Sequence, residues 1–383
     1  MITITQKVSF LFVLLFSFAN ALFAQGYRLS DQAKISVITC GSGDQLYSIF
    51  GHTAVRVHDT ARDLDIVFNY GTFDFNTPNF YLKFVKGDLD YLLTTTSFHQ
   101  FLYEYQQDNR DVFEQELALT AEQKQQLFDK LTKNVFSEER FYRYKFIDKN
   151  CTTMAVDKVN EVLNKTKIEK TKPYEKSYRH VLNPYLDNLF YEKLGINIIF
   201  GHRPDTEACQ LFLPIEFFKS LEIAKEGSKP LVAQTITHNI QDKTKIKTSW
   251  WNTSYTLLFG LLLVIVVNNR RVDNIYLILC GIMGIFLLGV GLYSLHREVL
   301  WNYNALLFNP LYIPLVFFFW NKKTAQFTKM WYASLVLLLL YTIYLAFKAH
   351  FLQLVPFIGV NAILLYRLNK RFFLSTAKIE LTK

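Results

Sequence analysis

The chain has 383 residues, half of them apolar, with 35 Phe, 22 Tyr and a formal charge of +9. That length holds one sizeable core and something more. From Trp251 onward twelve Lys or Arg stand against three acids, which accounts for the whole excess and leaves the front part neutral. A neutral front part excludes a nucleic-acid-binding surface there, and a basic apolar tail suits a membrane region oriented by its loop charges.

Residues 1–24 read as an export signal: Lys7 is the positive end, Ser9 to Phe18 the apolar core and Ala24 the small residue at the cleavage site. Residues 25–248 are then an exported domain and 249–383 a membrane domain. Cys40, Cys151 and Cys209 lie in the exported part, and Cys280 in an apolar run. An odd number in an oxidising compartment means no disulfide, or one with a thiol to spare. If one forms, the pair is Cys40 with Cys209, leaving Cys151 free.

Lys34 to Cys40 is strand-like, and a Gly-Ser-Gly turn follows it. A β-rich run starts at His52, turns at Asp59 to Asp63 and returns over Asp65 to Gly71, an antiparallel hairpin. Counting outward from a centre near Ala61 puts His52 opposite Asn69 or Tyr70. Either side chain there would hydrogen-bond the imidazole and set its tautomer. Thr72 to Gly87 is dense in aromatics. Core packing explains that, and an apolar wall that receives acyl chains or touches lipid is the sharper alternative.

Leu89 to Thr96 reads as a strand, Phe98 to Tyr105 as a helix start and Arg110 to Leu119 as a strand. Thr120 and Gln123 form a capping box for a helix to about Asn134. A polar turn, Tyr144 to Asn150, then feeds a helix in which Asn150 is the N-cap, Cys151 the first residue, and Ala155, Val159 and Val162 the buried face. A thiol at that position sees free backbone N–H groups and the positive end of the helix dipole, and both favour the thiolate nucleophile. Asn164 to Tyr178 reads as an exposed loop around Pro173. Leu182 to Leu194 reads as a helix, Asn197 to Phe200 as a strand, Gly201 to Asp205 as a turn, Phe212 to Ala224 as a helix and Leu231 to Thr237 as a strand.

Five apolar stretches follow: Tyr255 to Val267, Ile275 to Leu295, Ala305 to Trp320, Met330 to Phe347 and Leu352 to Tyr366. Ten basic residues fall on one side of the resulting topology and two (Arg297 and Lys348) on the other. By the positive-inside rule the C-terminus is cytoplasmic and the front domain lies outside. His296 to Glu298 and Trp301 to Asn304 fall between the second and third stretches and read as ordinary interface residues. No metal-ligand spacing or nucleotide-binding glycine pattern is present, so no cofactor is expected.

A histidine at a strand mouth and a cysteine opening a helix, in that order, suggest a circularly permuted papain-like arrangement in an α+β domain. The blocks Gly51-His52-Thr-Ala-Val-Arg56-Val, Phe68-Asn69-Tyr70-Gly71-Thr-Phe73-Asp74-Phe75, Asn79-Phe80 and Asn150-Cys151-Thr-Thr resemble the Lnb N-terminal periplasmic domain. The Asn-Cys pair is also similar to permuted thiol acyltransferases of the lecithin:retinol acyltransferase type and, more distantly, to NlpC-type cell-wall peptidases.

The resemblance implies an inner-membrane lipoprotein N-acyltransferase with its catalytic domain in the periplasm. Its partners would be a phospholipid acyl donor and a lipoprotein acceptor. By carry-over, Cys151 is the nucleophile and His52 its base. Asn69 is the third residue, with Tyr70 second in line, and Arg56, Tyr70 and Asn150 shape the substrate site. An envelope cysteine hydrolase and a non-catalytic envelope module are the competing readings.

Overall fold

The computed structural model describes residues 27–170, 176–245 and 249–380. The export signal and Pro173 lie outside them. The elements of the front domain, in order, are β1 (Lys34–Cys40), β2 (His52–Asp59), β3 (Leu64–Thr72), α1 (Phe80–Lys86), β4 (Asp90–Ser97), α2 (Phe98–Gln107), β5 (Val112–Leu117), α3 (Ala121–Val135), β6 (Phe141–Arg143), α4 (Cys151–Asn160), α5 (Tyr178–Leu182), α6 (Phe190–Ile199), α7 (Pro214–Ile223) and β7 (Val232–Asn239). The strands form one antiparallel sheet in the order β6-β4-β3-β2-β1-β5-β7.

Alternation along β2 assigns its two faces. Val55 and Val57 join Phe68, Tyr70, Leu127, Leu131, Ala155 and Val159 in the larger core, beneath α3 and α4. Ala54 joins Ile38, Cys40, Val67, Phe98 and Phe101 in a smaller core beneath α2. The capping box at Thr120 forms as expected and starts α3. Thr120 N–H donates to Gln123 at 2.9 Å and the Thr120 hydroxyl accepts from Gln123 N–H at 3.2 Å.

Two expectations are corrected here. Asn197 to Phe200 is not a strand, because residues 190–199 continue as helix and bury Leu194 and Asn197 on one face. The Ile-Asn-Ile-Ile run satisfies either period, and Arg179 decides between them. Its guanidinium, buried to 1% exposure, bonds the Asn197 side chain at 2.9 Å and the carbonyls of Asn197, Phe200 and Gly201. Nor is Cys40 bridged to Cys209: all four thiols are free, with Cys40 buried in the sheet and Cys209 exposed beside the Tyr178 hydroxyl.

The tail adds α8 (Ser254–Val267), α9 (Arg270–Tyr293), α10 (Tyr312–Trp320), α11 (Thr324–Leu345) and α12 (Phe351–Glu380). Each apolar stretch contains an α-helix, although Ala305 to Trp320 is α-helical only from Tyr312, and only α9, α11 and the 351–374 part of α12 are long and apolar enough to cross a membrane among the described residues. The nine residues of α10 rise about 14 Å. The chain before it enters the bundle through a short 3-10 turn, Tyr303–Leu306, and an irregular stretch, and side chains supply further partners there. Asn304, fully buried, donates to the Asn197 and Ile198 carbonyls and accepts from the Tyr341 hydroxyl, and Asn361 donates to the Leu307 carbonyl. Non-helical backbone at this depth is tolerated only where protein encloses it. At the other end of the bundle, buried Asp273 on α9 pairs with Arg371 on α12 at 2.7 Å.

Candidate functional site

The site is built at one end of the sheet. Asn239, Val112, Cys40 and His52 stand side by side there on β7, β5, β1 and β2. It is the end from which the chain leaves β7 for α8, so it is also the end nearest the membrane helices.

Asn150 sets the position of Cys151. Its side-chain oxygen accepts from the Thr152 and Thr153 N–H groups at 2.9 and 3.0 Å, and the Thr153 hydroxyl accepts from the Asn150 N–H at 2.8 Å. Its amide nitrogen donates to the Phe146 and Phe212 carbonyls. A cap of this kind stabilises a helix start by about 1 kcal/mol. Here it also consumes the N–H groups of the second and third residues, so the Cys151 N–H is the first-turn donor left uncapped. Asn150, expected to shape the substrate site, is 5% exposed, and its side chain is committed to the backbone around Cys151.

His52 opens β2 on the α2 face, with its ring stacked on Tyr105 at 6.3 Å between centroids. Its Nε2 lies 2.6 Å from Asn69 Oδ1. An amide oxygen accepts only, so Nε2 carries a proton and Nδ1 is left to face the sulfur. The hairpin register pairs Val55 with Phe68. Extended outward, that register sets His52 against Gly71, and Asn69 reaches the ring from two residues away on the same face.

Gly71 is what lets the two halves meet. Its φ is +97°, and a Cβ there would lie 3.6 Å from the Cys151 Cβ and 3.7 Å from the His52 Cε1. Thiol and imidazole therefore converge on one point that carries no side chain. The β3–β4 pairing is irregular between Asn69 and Thr72, and this bends the strand end there. Burial opposes ionisation of Cys151. Against it act the His52 ring, by charge and by hydrogen bond, the Thr53 N–H and the Thr152 hydroxyl, and together they hold the thiol below the ordinary range. Thr152 and Thr53 hydroxyls meet at 3.0 Å in the buried seam behind the sulfur.

A half-buried thiol with a depressed pKa, an imidazole and an amide behind it form the constellation of a thiol nucleophile. Residues 24–184 match the Lnb N-terminal periplasmic domain and residues 255–378 match the Lnb transmembrane domain. The chain belongs to the Lnb family. No curated protein and no solved structure matches it. Membership of the Lnb family makes this an integral membrane protein with a periplasmic domain, and suggests a lipoprotein-modifying enzyme.

In this Lnb-family chain two further expectations are corrected. Arg56 lies four residues along β2 from His52, about 13 Å away. Its guanidinium is held by Asp65 at 2.7 and 2.8 Å, by Glu114 at 2.8 Å, and over the Phe98 ring at 3.5 Å. It ties the hairpin to β5 and α2. Tyr70 points to the opposite face from Asn69, is fully buried and donates to Asn134 Oδ1 at 2.8 Å. Neither reaches the thiol.

Glu298 was not expected at the site. It lies between α9 and α10, is 1% exposed, and accepts from the Ile147 N–H at 3.2 Å. It also meets Arg203, which forks onto both carboxylate oxygens of Asp148. Gly201 N–H donates to the Glu298 carbonyl at 2.8 Å. The loop that ends at Cys151 is thus pinned by the membrane tail. The readable signal was an acid between two membrane stretches, where a carboxylate needs a partner.

Proposed function

We propose that this protein is a cysteine-dependent lipoprotein N-acyltransferase of the inner membrane, with its catalytic end turned to the outer face of the bilayer. The observation that carries the reading is the convergence of Cys151, His52 and Asn69 at the sheet end from which the chain enters the membrane helices. A phospholipid ester and a diacylglyceryl-cysteine amine both present themselves at that level.

His52 takes the thiol proton, and the Cys151 thiolate attacks the ester carbonyl of a phospholipid. The Cys151 N–H and the helix dipole stabilise the oxyanion. The C–O bond breaks, imidazolium returns its proton to the leaving glycerol oxygen, and a lysophospholipid departs from an acyl-thioester. The lipoprotein amine then attacks that thioester: a C–N bond forms, the C–S bond breaks, His52 accepts the amine proton and the thiolate is regenerated. The cycle is ping-pong and balances without cofactor or metal. Asn69 holds the ring in the tautomer that both steps use.

The test is intact-protein mass spectrometry of the full chain in phospholipid vesicles, followed by addition of a synthetic diacylglyceryl-cysteine peptide. The expected result is one acyl mass on Cys151, discharged as an N-acylated peptide and absent in Cys151→Ala. Cleavage of peptidoglycan fragments with no acyl adduct would replace this reading by the envelope hydrolase.

A further inference from the structure

The aromatic segment between β3 and β4 folds into α1, and α1 is fastened to the outer end of α9. Leu295 N–H donates to the Lys86 carbonyl at 2.6 Å, the Ser294 hydroxyl to the Val85 carbonyl at 2.7 Å, and His296 Nε2 to the Phe84 carbonyl at 2.9 Å. Gly87 closes the helix with φ +73°, and a Cβ there would press on the His296 ring at 3.0 Å. None of these bonds uses the apolar side chains. Tyr81 and Leu82 are 76% and 67% exposed, and Phe75 and Val85 are exposed beside them. That apolar face continues into Leu292 and Tyr293 at the end of α9, itself a membrane-crossing helix by length and composition. Lys83 and Lys86 lie on the same short helix, with Lys86 over the Tyr293 ring.

A file of rings runs inward from Phe84, itself 43% exposed. Phe84 stacks on Phe80 at 6.5 Å, Phe80 lies tilted against Phe73 at 5.8 Å, Phe73 tilted against Tyr91 at 5.1 Å, and Tyr91 stacks on Tyr144 at 4.5 Å. Phe73, Phe80, Tyr144 and Cys151 pack against the same core.

We infer that α1 is a lipid-docking helix. It lies in the phospholipid surface beside α9, with Tyr81, Leu82 and Val85 among the acyl chains and Lys83 at the phosphates, while Lys86 is paired with Asp88 at 3.0 Å. An exposed apolar patch continuous with a membrane span has lipid as its partner by position. Amphipathic lysines keep their stems on that surface and their heads at its rim. The file from Phe84 to Tyr144 is the apolar route by which an acyl chain approaches the thiol. The second half of this inference rests on the acyl-transfer reading; the docking itself does not.

Two measurements on the full chain in vesicles separate the two. In the first, Leu82→Trp is compared with wild type and with Ala61→Trp, which sits in the exposed hairpin turn at the far end of the sheet, using phospholipids brominated near the headgroup. Added fluorescence quenching at 82 and none at 61 is expected; equal quenching, or none at 82, overturns the docking. In the second, Tyr81, Leu82 and Val85 are all changed to Glu. Cys151 acylation by vesicle phospholipid is expected to fall at least about tenfold, while its alkylation by iodoacetamide stays within about twofold of wild type. Undiminished acylation overturns the route. If wild type itself never acquires an acyl group, the acyl-transfer reading and the route fall together, and the quenching result still decides the docking.

Discussion

At the membrane end of the sheet His52 has a cysteine on either side. Cys40 stands opposite it on β1, and Cys151 faces it from the start of α4. Burial pushes the Cys40 thiol up to about 12, against the opposing pull of Arg110 and the Tyr105 hydroxyl. The same burial acts on Cys151 and loses to the imidazole and the donors around it. Backbone proximity to a histidine is shared by both. What differs is that Cys151 opens α4 with its own N–H left over by the Asn150 cap and with the imidazole and the Thr53 N–H on its sulfur, whereas Cys40 sits in the apolar layer with Phe98 and Phe101. Orientation and local donors, more than distance along the sheet, bring one of these sulfurs nearer to the thiolate.

That contrast breaks at its strongest point with His52→Ala. Acyl transfer should fall by about 10²–10⁴-fold, the usual loss on removing a general base. The pH profile of Cys151 alkylation gives the sign independently. In wild type the thiolate accumulates as pH rises through a value below that of an ordinary thiol. In His52→Ala only burial and weaker hydrogen bonds remain, so the inflexion moves up and reactivity at neutral pH drops. An unmoved profile would mean that the ring does not act on the sulfur.

Asn69→Ala should cost about 10–100-fold in turnover, the range seen when a hydrogen bond orienting a working imidazole is removed. Asn69→Asp should lose less, because it keeps the acceptor. Glu298→Ala leaves the Ile147 N–H and Arg203 short of a partner. It should lower stability by about 1–3 kcal/mol in thermal melts of the detergent-solubilised chain and slow Cys151 alkylation, with Glu298→Gln milder on both counts. Cys40→Ala is the smallest change. Turnover should stay within about twofold and stability fall by about 1 kcal/mol, and in wild type Cys40 should stay unalkylated at neutral pH while the protein is folded.

Much of this site could be read in the residues because its signals are local. Asn150 before Cys151 is a capping pattern, and the β2–β3 hairpin announces itself by alternation and a short polar turn. The count from Ala61 missed the register by a residue or two and still found Asn69, because a residue two positions from the partner shares its face. Arg56 and Tyr70 misled for the converse reason. They sit within the same sequence blocks as the site residues, but strand alternation and rise carry them to another face and another level. The partner of Glu298 and the docking of α1 on α9 were out of reach of any local pattern, because they join segments more than 150 residues apart. The helix over 190–199 was hidden by a run that fits both periods, and a guanidinium at 179 resolved it.

The bond between Ile147 and Glu298 joins residues 151 positions apart. A ribosome working at about 5–20 residues per second needs roughly 8–30 s to travel from one codon to the other. During that interval the loop before Cys151 has been made while its clamp has yet to be translated. That clamp on the loop before Cys151 therefore forms only after α9 and the residues beyond it have been made, so the seating of the thiol waits on the membrane domain.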